Sequence, residues 1–364
     1  MSERIIILGI ESSCDDTAAS IIIDGQLFSN VVVNQSVHKE YGGVVPELAS
    51  RAHQQNIIPA VYTAIKKAGI NKNDISAVAF TRGPGLLGSL LVGTSFAKAF
   101  TMGLNIPLIE INHMQGHILA HFINASPLAP LTSSALRAPS SKEKGNGNNQ
   151  LGGEPKFPFL CLTVSGGHTQ IVLVKDYFDM TVIGETVDDA AGEAFDKAAK
   201  ILGLPYPGGP LIDKYATDGN PLKYKFTKPN VSDLNFSFSG LKTGFVKFIN
   251  TETSKNSNFA NENLNDICAS IQHTIIDILM SKLKKASEQM NITQIAIAGG
   301  VSANSGLRIA LQNFEKDFGW KTYIPEFQFC TDNAAMIAIT GYYKFLKKDF
   351  TTQHSSPSAR YELK

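Results

Sequence analysis

Residues 5–23 read IIILGIESSCDDTAASIII, in which an apolar run from Ile5 to Ile10 and another from Ala18 to Ile23 flank a polar stretch. Apolar runs of this length, bounded by turn residues, are typical of strands that are buried on both faces. The sequence therefore predicts a buried hairpin whose turn, Glu11 to Thr17, presents hydroxyl and carboxyl groups.

The same pattern returns in the second half of the chain, where the apolar run Phe159 to Val164 meets the turn Ser165 to Thr169 and resumes as Gln170 to Val174. Farther along each half, an apolar strand enters a glycine loop and then a helix. These strand and loop pairs are Ser76 to Phe80 with Arg82 to Gly85, and Gln294 to Ala298 with Gly299 to Ser302. Two such series indicate a duplication. We therefore expect an α/β protein with two ribonuclease-H-like lobes around a nucleotide cleft, the ASKHA architecture of actin, hexokinase and Hsp70.

Length and composition are those of an ordinary globular chain. At 364 residues, 43% of them apolar and 18% charged, the chain is long enough for two hydrophobic cores. Its 33 basic and 32 acidic residues leave a net charge of +1, which excludes a strongly basic nucleic-acid binder but leaves local RNA contacts open. The four cysteines form no C-x-x-C pair, and no apolar run approaches the ~18 residues of a membrane span. We expect a cytoplasmic protein with buried thiols.

The chain divides into five expected regions. They are residues 1–123 for the first lobe, 124–156 for a flexible insert or linker, 157–330 for the second lobe, 331–350 for a closing helix that packs back on the first lobe, and 351–364 for a tail. The insert is rich in Ser, Pro, Gly and Asn, a composition that buries no core. A loop that contacts a partner or RNA is its functional alternative.

The motif INHMQGHI places His113 and His117 four residues apart. On a helix, this spacing puts both imidazoles on one face and aims them at a common point. Two histidines supply two of the three or four protein ligands of a catalytic zinc or non-heme iron, and leave room for an acidic third ligand. The alternative is a pair of polar residues on a partly buried helix.

Both polar turns carry groups that suit a nucleotide or a metal. The turn Ser165 to Thr169 offers closely spaced backbone N–H groups, unobstructed at its two glycines, and this is how a hairpin binds phosphate. In the first turn, a carboxylate of Asp15 or Asp16 can hold a metal or position a water. The alternatives are an ordinary tight turn and an Asx turn, respectively.

Residues Thr186 to Leu202 read as a helix on which Asp189, Glu193 and Asp196 fall at i, i+4 and i+7. A solvated face balanced by lysines is the ordinary interpretation of this acidic stripe. A carboxylate that accepts both hydroxyl protons of a ribose is the functional one. The glycines of Tyr206 to Pro210 then bring backbone close to whatever binds there.

Eight motifs run along nearly the whole chain. They are ESSCDDT at 11–17, YGGVVPELASR at 41–51, the histidine pair, VSGGHT at 164–169, DDAAGEAFDK at 188–197, YPGGP at 206–210, FSFSGLK at 236–242 and AGGVSAN at 298–304. Taken together and in this order, they resemble the universal tRNA threonylcarbamoyladenosine transferases of the bacterial TsaD type.

The resemblance implies a cytosolic enzyme that transfers the threonylcarbamoyl group from threonylcarbamoyl-AMP to N6 of the adenosine beside the anticodon, in tRNAs that read codons starting with A. It implies one divalent metal, Fe²⁺ first and Zn²⁺ second, held by His113, His117 and Asp332. It also implies a paralogous ASKHA subunit (TsaB type) and a P-loop ATPase (TsaE type) as partners. The segment Pro46 to Ala68 reads as an amphipathic helix, and the family places the paralogue interface there. We single out Val61 as a contact, provided that its side chain is exposed in the free subunit, with a core helix as the alternative.

The substrate contacts follow from the same resemblance. The adenylate contacts that it implies are Thr163, Val164, Ser165, Gly166, Gly167, Asp196, Gly209, Asp213 and Asn304. AMP is the leaving group. Asp15 is the candidate for proton removal or for positioning the nucleophile, since a carboxylate beside the transferred group can accept the proton as the amine attacks.

Two features depart from the family pattern. Gln115 stands where many relatives have an acidic residue, so we assign it no ligand or catalytic role, and the connection 124–156 is longer than in most bacterial relatives. A zinc peptidase is disfavoured because the glutamate of H-E-x-x-H is missing. A non-catalytic nucleotide-binding scaffold has no use for the two histidines and Asp332, and an ASKHA sugar or acetate kinase has no use for the histidine pair.

Overall fold

The computed structural model describes residues 4–125, 153–229 and 231–363. Within these ranges the chain forms two compact units, of which the first comprises 4–38, 44–125, 153–154 and 331–363 and the second comprises 39–43, 155–229 and 231–330. Residues 126–152, most of the expected 124–156 insert, lie outside the described residues.

The first unit is built on a mixed sheet of six strands. The strands are β1 (Ile6–Glu11), β2 (Thr17–Ile23), β3 (Gln26–Val33), β4 (Ala77–Gly83), β5 (Leu108–Asn112) and β6 (Asn124–Ala125). Their order in the sheet is β5-β4-β1-β2-β3-β6. The helices, numbered along the whole chain, are α1 (Pro46–Ala68), α2 (Leu87–Leu104), α3 (His113–Leu119) and α11 (Ala334–Leu346).

The second unit is built on a sheet of five strands. These are β7 (Phe159–Val164), β8 (Thr169–Asp176), β9 (Asp179–Glu185), β10 (Gln294–Ala298) and β11 (Lys321–Tyr323), in the order β11-β10-β7-β8-β9. The helices are α4 (Ala191–Ile201), α5 (Gly209–Ala216), α6 (Ser239–Lys255), α7 (Phe259–Glu262), α8 (Leu264–Met290), α9 (Ser305–Phe318) and α10 (Phe327–Cys330). A 3₁₀ turn, Gly300–Ala303, links β10 to α9.

The two sheets repeat one topology. In each unit the first two strands form an antiparallel hairpin, β1 with β2 and β7 with β8. In each unit a later strand then lies parallel to the first strand of the hairpin, β4 beside β1 and β10 beside β7. The two predicted hairpins and the two strands that lead into glycine loops are therefore confirmed, and the shared order supports a duplicated fold.

Helix α11 lies directly on the first sheet, against β1 and β2. A Cβ atom on Gly9 would lie 2.5 Å from the carbonyl oxygen of Ala334, and one on Gly341 would lie 2.4 Å from Cβ of Ala79. Backbones approach this closely only where a side chain is missing. The close packing brings Asp332, just ahead of α11, to the end of β1, where its carboxylate lies 3.4 Å from the Ser13 hydroxyl.

Helix α1 has one buried and one exposed face. Ile57 and Val61 are each 4% exposed and belong to the core of the first unit, whereas Ile58 and Tyr62 are each 64% exposed. The choice of Val61 as a contact for another subunit is therefore wrong. Apolar residues stand on both faces of this helix, so the sequence pattern alone did not decide which face turns to the core.

The acidic helix begins later than the sequence predicted. Helix α4 starts at Ala191, because the Thr186 hydroxyl instead donates to the carbonyl of Asp189 at 2.7 Å and closes a turn ahead of the helix. The ammonium group of Lys197 lies 2.7 Å from the carboxylates of both Asp189 and Glu193. Asp189 and Glu193 thus form the solvated face. Because Asp189 precedes the helix, the prediction that Asp189, Glu193 and Asp196 form one helical stripe at i, i+4 and i+7 is wrong.

Helix α2 is, within the described part of the chain, the one helix long and apolar enough to cross a membrane. It packs against α1 and β4 and buries its Leu90, Gly93 and Ala97 positions. A core helix of a globular domain meets the same length and composition criteria, so this helix does not by itself indicate a membrane protein.

Candidate functional site

The two histidines lie on a helix, as the spacing predicts. Strand β5 ends at Asn112, and α3 begins at the next residue. The Asn112 side-chain oxygen accepts hydrogen bonds from the backbone N–H of Met114 at 2.9 Å and of Gln115 at 3.2 Å. This N-cap fixes the start of the helix and thereby the direction of both imidazoles.

Three ligand atoms converge in the first unit. His113 Nε2 and His117 Nε2 are 3.1 Å apart. Asp332 Oδ1 lies 3.4 Å from His113 Nε2 and 3.3 Å from His117 Nε2. Ligand atoms that are bound to a tetrahedral metal at about 2.0–2.1 Å lie about 3.3 Å from each other. The donor set therefore fits a first-row divalent metal, and two imidazoles with one carboxylate suit iron or zinc.

Glu11, which sequence reasoning did not assign, stands behind His113. It is fully buried, and its Oε2 lies 3.0 Å from His113 Nδ1 and 2.7 Å from the donating hydroxyl of Thr81. Because a carboxylate can only accept here, Nδ1 carries a proton, and Nε2 is the atom left to bind a metal on the Asp332 side. Glu11 therefore orients a metal ligand. A carboxylate at the end of a buried strand was the signal for it in the sequence.

The buried charges of this cluster are tightly coupled. Burial opposes protonation of His113, but the carboxylates of Asp332 and Glu11 outweigh it and raise the pKa of this imidazole to about 10. Burial would raise the pKa of Asp332, yet His113 holds the pKa of that carboxyl well below its usual value. With His113 protonated at neutral pH and His117 neutral, the carboxylates of Glu11 and Asp332 still leave one negative charge unmatched. A divalent cation removes this imbalance, which is a second reason that the residues fit a metal.

The Glu11–Thr17 turn brings further carboxylates to the first unit. Burial, and then the negative charges of Asp332 and Asp15, raise the pKa of Asp16 to about 7. The Asn34 amide donates to Asp16 Oδ1 at 2.6 Å. The half-buried Asp15 lies on the same turn. Its role in proton transfer stays a prediction, and Asp16 is a carboxyl group of the same turn that sequence reasoning did not favour.

The second turn is open where phosphate binding requires it to be. Ser165 closes the turn: its N–H donates to the His168 carbonyl at 2.8 Å, and its hydroxyl oxygen accepts from the His168 N–H at 3.1 Å. Gly166 and Gly167 are exposed, and a Cβ atom on either would meet nothing within 4 Å. Neither packing nor backbone conformation therefore requires glycine at these positions.

Thr163 and Val164 lie inside strand β7 and are completely buried. The Thr163 hydroxyl faces the Gln170 carbonyl at 3.4 Å. Any contact of these two residues with an adenylate would therefore use backbone atoms, and the prediction that they contact it stays untested.

Asp196 lies beside the glycines of the Tyr206–Pro210 motif. Its Oδ1 accepts from the backbone N–H of Gly208 at 2.8 Å and of Gly209 at 3.0 Å. Burial raises the pKa of Asp196, although these two N–H donors counteract it. Asp196 thus fixes the start of α5, while its second oxygen accepts no hydrogen bond from the described residues. The structure brings the predicted contacts Asp196 and Gly209 together.

Asp213 and Asn304 also lie close together, because Asp213 bonds to Ser305, which follows Asn304 at the start of α9. Both oxygens of Asp213 are engaged by Ser305, whose N–H and hydroxyl donate at 3.0 and 2.7 Å. Asn304 accepts from the Leu307 N–H at 2.9 Å and donates to Gln272 at 2.7 Å. Both predicted contacts therefore have internal partners in this structure, and their binding to an adenylate stays a prediction.

Asp188 organises the FSFSGLK motif, to which no role was assigned. It accepts hydrogen bonds from the Ser237 hydroxyl, from the Phe238 N–H at 2.7 Å and from the Ser239 hydroxyl at 2.7 Å. Burial would raise the pKa of Asp188, but these donors hold it below the ordinary value. The motif is thereby fixed at the start of α6.

Comparisons with known proteins agree on one family. A family model described as TsaD, tRNA N6-adenosine threonylcarbamoyltransferase, matches residues 26–138 and 145–339. A protein of that name from Christiangramia forsetii is 60% identical over 361 residues, which are 99% of each chain. Its counterpart from Phocaeicola vulgatus is 58% identical over 95% of this chain and 96% of its own.

Solved structures support the fold class. A crystal structure of full-length HypF in its phosphate- and nucleotide-bound form aligns with 95% of this chain and 47% of its own, at a TM-score of 0.56 and 12% identity. At this identity the likeness concerns the fold alone, and it supports the two-sheet α/β ASKHA fold. From the sequence matches over its full length, the chain belongs to the family of the tRNA N6-adenosine threonylcarbamoyltransferases, which are transferases of the TsaD type.

Proposed function

We propose that this protein transfers the threonylcarbamoyl group from threonylcarbamoyl-AMP to N6 of the adenosine beside the anticodon, in tRNAs that read codons starting with A. Membership of the family supports the reaction class. The observation that carries the proposal is the convergence of His113, His117 and Asp332, with Glu11 behind His113, since a scaffold that only binds nucleotide needs no such site. The protein acts in the cytoplasm, where tRNA is modified.

The donor is a mixed carbamic–phosphoric anhydride, and the acceptor is an aromatic amine, which is a poor nucleophile. A divalent metal held by His113, His117 and Asp332, Fe²⁺ by preference and Zn²⁺ as the alternative, would supply Lewis-acid polarisation of the donor. Glu11 keeps the His113 ring in the orientation and tautomer that this requires. A carboxylate of the Glu11–Thr17 turn, Asp15 or Asp16, takes the amine proton as the new carbamoyl bond forms.

The adenylate portion of the donor binds to the second unit. The exposed N–H groups of Gly166 and Gly167 suit its phosphate, because no side chain stands in front of them. The unengaged oxygen of Asp196 suits a ribose hydroxyl. Asp213 and Asn304 shape this region through the start of α9. AMP, bound by these groups, is the natural leaving group.

A reconstituted transfer assay tests the function. The purified protein, a paralogous ASKHA subunit, a P-loop ATPase and unmodified tRNA are incubated with threonine, bicarbonate, ATP and the enzyme that forms the donor. Nucleosides are then analysed by mass spectrometry. We expect threonylcarbamoyladenosine in the tRNA with the unaltered protein, and none when this protein is left out. Absence of that nucleoside in the complete, metal-supplied mixture would contradict the proposed function.

The exposed surface of the first unit supports a partner protein. A net charge of +1 gives the protein alone little electrostatic attraction to tRNA. Five large apolar side chains are exposed on the packed helices α1 and α2: Ile58 and Tyr62 at 64%, Leu87 at 51%, Leu91 at 47% and, at the other end of α2, Met102 at 68%. An apolar surface of this kind supports docking of the paralogous subunit.

A charge in this surface separates docking from folding. Tyr62→Glu should abolish the heterodimer in size-exclusion chromatography and leave the thermal unfolding midpoint nearly unchanged, because Tyr62 is exposed. Val61→Glu should instead unfold the first unit, since it places a charge in the core at a cost of several kcal/mol. Met102→Glu is the matched control, an apolar side chain 68% exposed at the other end of α2. A full heterodimer with Tyr62→Glu would exclude this face.

A further inference from the structure

We propose that the strap, residues 351–363, holds the metal helix α3 in position through Asn112, which makes Asn112 a positioning residue for the metal site. The inference rests on the proposed metal site. It adds a device to which neither the sequence motifs nor the family match pointed, because the strap was expected to be a tail.

Asn112 uses its whole side-chain amide at this junction. Its oxygen accepts from the N–H of Met114 and of Gln115, which starts α3. Its Nδ2 donates to the carbonyl oxygens of Tyr361 and Glu362, both at 3.0 Å. Asn112 is only 8% exposed, so these bonds have little competition from water. One amide therefore ties the strap to the first turn of the helix that carries both histidines.

The strap is also anchored at other residues of the first sheet. Glu110 Oε2 accepts from the hydroxyls of Thr351 at 2.9 Å and Ser355 at 2.6 Å. Arg82 pairs with the other oxygen of Glu110 at 2.7 Å and donates from Nε to the Ser356 carbonyl at 3.0 Å. Both charged residues belong to neighbouring strands of the first sheet, β4 and β5. The strap is thus bound to the rigid sheet before it reaches Asn112.

The strap also supports the loop after β4, which contacts the turn between β1 and β2. The Ser358 N–H donates to the Arg82 carbonyl at 2.8 Å, and a Cβ atom on Gly83 would lie 1.9 Å from the Ser358 carbonyl oxygen. Gly83 has a φ of 155°, so the backbone as well as the space excludes a side chain there. Three residues on, the Leu86 N–H donates to the Ser13 carbonyl at 2.7 Å. The strap therefore braces both segments that border the metal ligands.

The consequence is a prediction about metal affinity. Ligands must be held to within about 0.5 Å for tight binding, and loss of a group that orients a ligand typically weakens metal binding about 10- to 100-fold. Loss of the Asn112 donors should free the first turn of α3 from the strap. The two imidazoles would then lose part of their common orientation.

Asn112→Ser is the sharpest test, because serine keeps a side-chain oxygen that can cap α3 but lacks the amide Nδ2 that donates to both strap carbonyls. The probe is Co²⁺, added to the metal-free full-length protein, with affinity and visible absorption measured. We expect Asn112→Ser to bind Co²⁺ about tenfold more weakly and with an altered spectrum, while the unfolding midpoint of the metal-free protein changes little. A purely structural role would shift that midpoint and leave the spectrum of bound Co²⁺ unchanged.

A chain that stops at Ala359 removes the same two carbonyl acceptors from the other side. It also removes the Tyr361 side chain from Arg82 and Glu110, so it should bind Co²⁺ at least as weakly as Asn112→Ser. Adding Asn112→Ser to the shortened chain should cause no further loss, because the contact with the strap is then already absent. Gln353→Ala is the control: this strap residue donates to the Thr101 hydroxyl at 3.1 Å and should not change Co²⁺ affinity.

Two results would overturn the inference. Unaltered Co²⁺ affinity and spectrum in Asn112→Ser would show that the strap contact does not position the ligands, as would independent, multiplying losses in the double variant. Failure of the unaltered protein to bind Co²⁺ would contradict the metal site itself and the inference with it. If Asn112→Ser does not fold, the chain that stops at Ala359 decides alone.

Discussion

The two polar turns occupy the same place in two copies of one topology, yet they differ in every other respect. The turn between β1 and β2 is packed at its start, where Glu11, Ser12 and Ser13 are at most 2% exposed, and half-buried over residues 14–16. The turn between β7 and β8 is open: Gly166 and Gly167 are exposed, and no atom lies within 4 Å of where their side chains would be.

The difference shows how a duplicated fold divides chemistry between its copies. In the first unit, carboxylates at the turn meet the histidines of α3, and a buried, negatively charged cluster results that suits a cation. In the second unit, bare backbone N–H groups at the turn suit an anion. The strands are equivalent, so what the turns carry decides which ligand each unit takes. Each prediction below changes one turn or its immediate support.

The largest effect is expected at the metal ligands. His117→Ala, like His113→Ala, should reduce bound iron or zinc, measured by elemental analysis, and lower transfer at least about 100-fold, more than the loss of an orienting group. The fold should persist, because neither histidine belongs to the hydrophobic core cluster of the first or of the second unit. His273→Ala, an exposed histidine on α8, is the control and should keep full metal content. Full metal occupancy in the double variant of His113 and His117 would refute the site.

Much of the fold could be predicted from the sequence because local and tertiary preferences agree. The composition of the run Ile5 to Ile10 favours a buried strand, and all of this run except Ile5 lies in a buried strand of the sheet. The same agreement holds for Phe159 to Val164. Which face of a helix turns to the core was harder to predict. Val61 and Ile58 are both apolar, and only the packing against β2 and β3 decides that Val61 is inside.

The site was predictable where the chemistry is local and missed where it depends on distant segments. The i, i+4 spacing of His113 and His117 placed both on one face of α3. Glu11 and Asn112 serve the same site through partners 102 and 249 residues away in the chain, which no local pattern records. Asp189 was wrongly placed on a helix because the hydroxyl of Thr186 competes for its backbone.

The second largest effect is expected in the open turn. Gly167→Val should weaken binding of AMP, measured by calorimetry, about 10- to 100-fold, because the side chain would stand where the phosphate approaches; each factor of ten is about 1.4 kcal/mol. The unfolding midpoint should not fall, since the space is empty. Gly192→Ala should instead lower the unfolding midpoint of the second unit, because its Cβ would lie 2.6 Å from the Ser165 carbonyl oxygen.

Gly244→Val serves as a control in the same unit, since a Cβ at that exposed position of α6 also meets nothing within 4 Å. It should leave AMP affinity unchanged. If Gly167→Val and Gly244→Val bind AMP equally well, the open turn is only a turn, and the contrast between the two units loses its functional meaning.

A smaller effect is expected at Asp196, and two substitutions separate its two roles. Asp196→Ala should weaken AMP binding by about 1–3 kcal/mol and also loosen the start of α5. Asp196→Asn keeps an oxygen for the N–H groups of Gly208 and Gly209, so only the ribose contact is lost, and about a fivefold weakening should remain. Asp189→Asn, on the solvated face, is the control. Unchanged affinity in both Asp196 variants would remove it from the nucleotide site.

The smallest effect is expected at Asp16, where burial and neighbouring negative charges in the turn between β1 and β2 make the stability of the protein depend on pH. Its pKa is raised from 3.8 to about 7, so as the pH rises the unfolded chain releases this proton before the folded chain does. The folded state is therefore penalised progressively between these two values, and the penalty is complete above the higher one. Asp16→Asn carries no such charge and still accepts from Asn34.

We accordingly expect Asp16→Asn to stabilise the metal-free protein at pH 8 by up to about 1 kcal/mol, reduced by solvent screening at this half-buried site, and by less at pH 5. Urea unfolding at the two pH values measures the difference. Asp74→Asn, which removes an exposed acid of the same unit, is the control. Bound metal should also shrink the effect, because it neutralises the charge of Asp332 that helps to raise this pKa. A gain that is equal at both pH values would mean that the first turn is not electrostatically crowded, and its contrast with the open turn would then be one of packing alone.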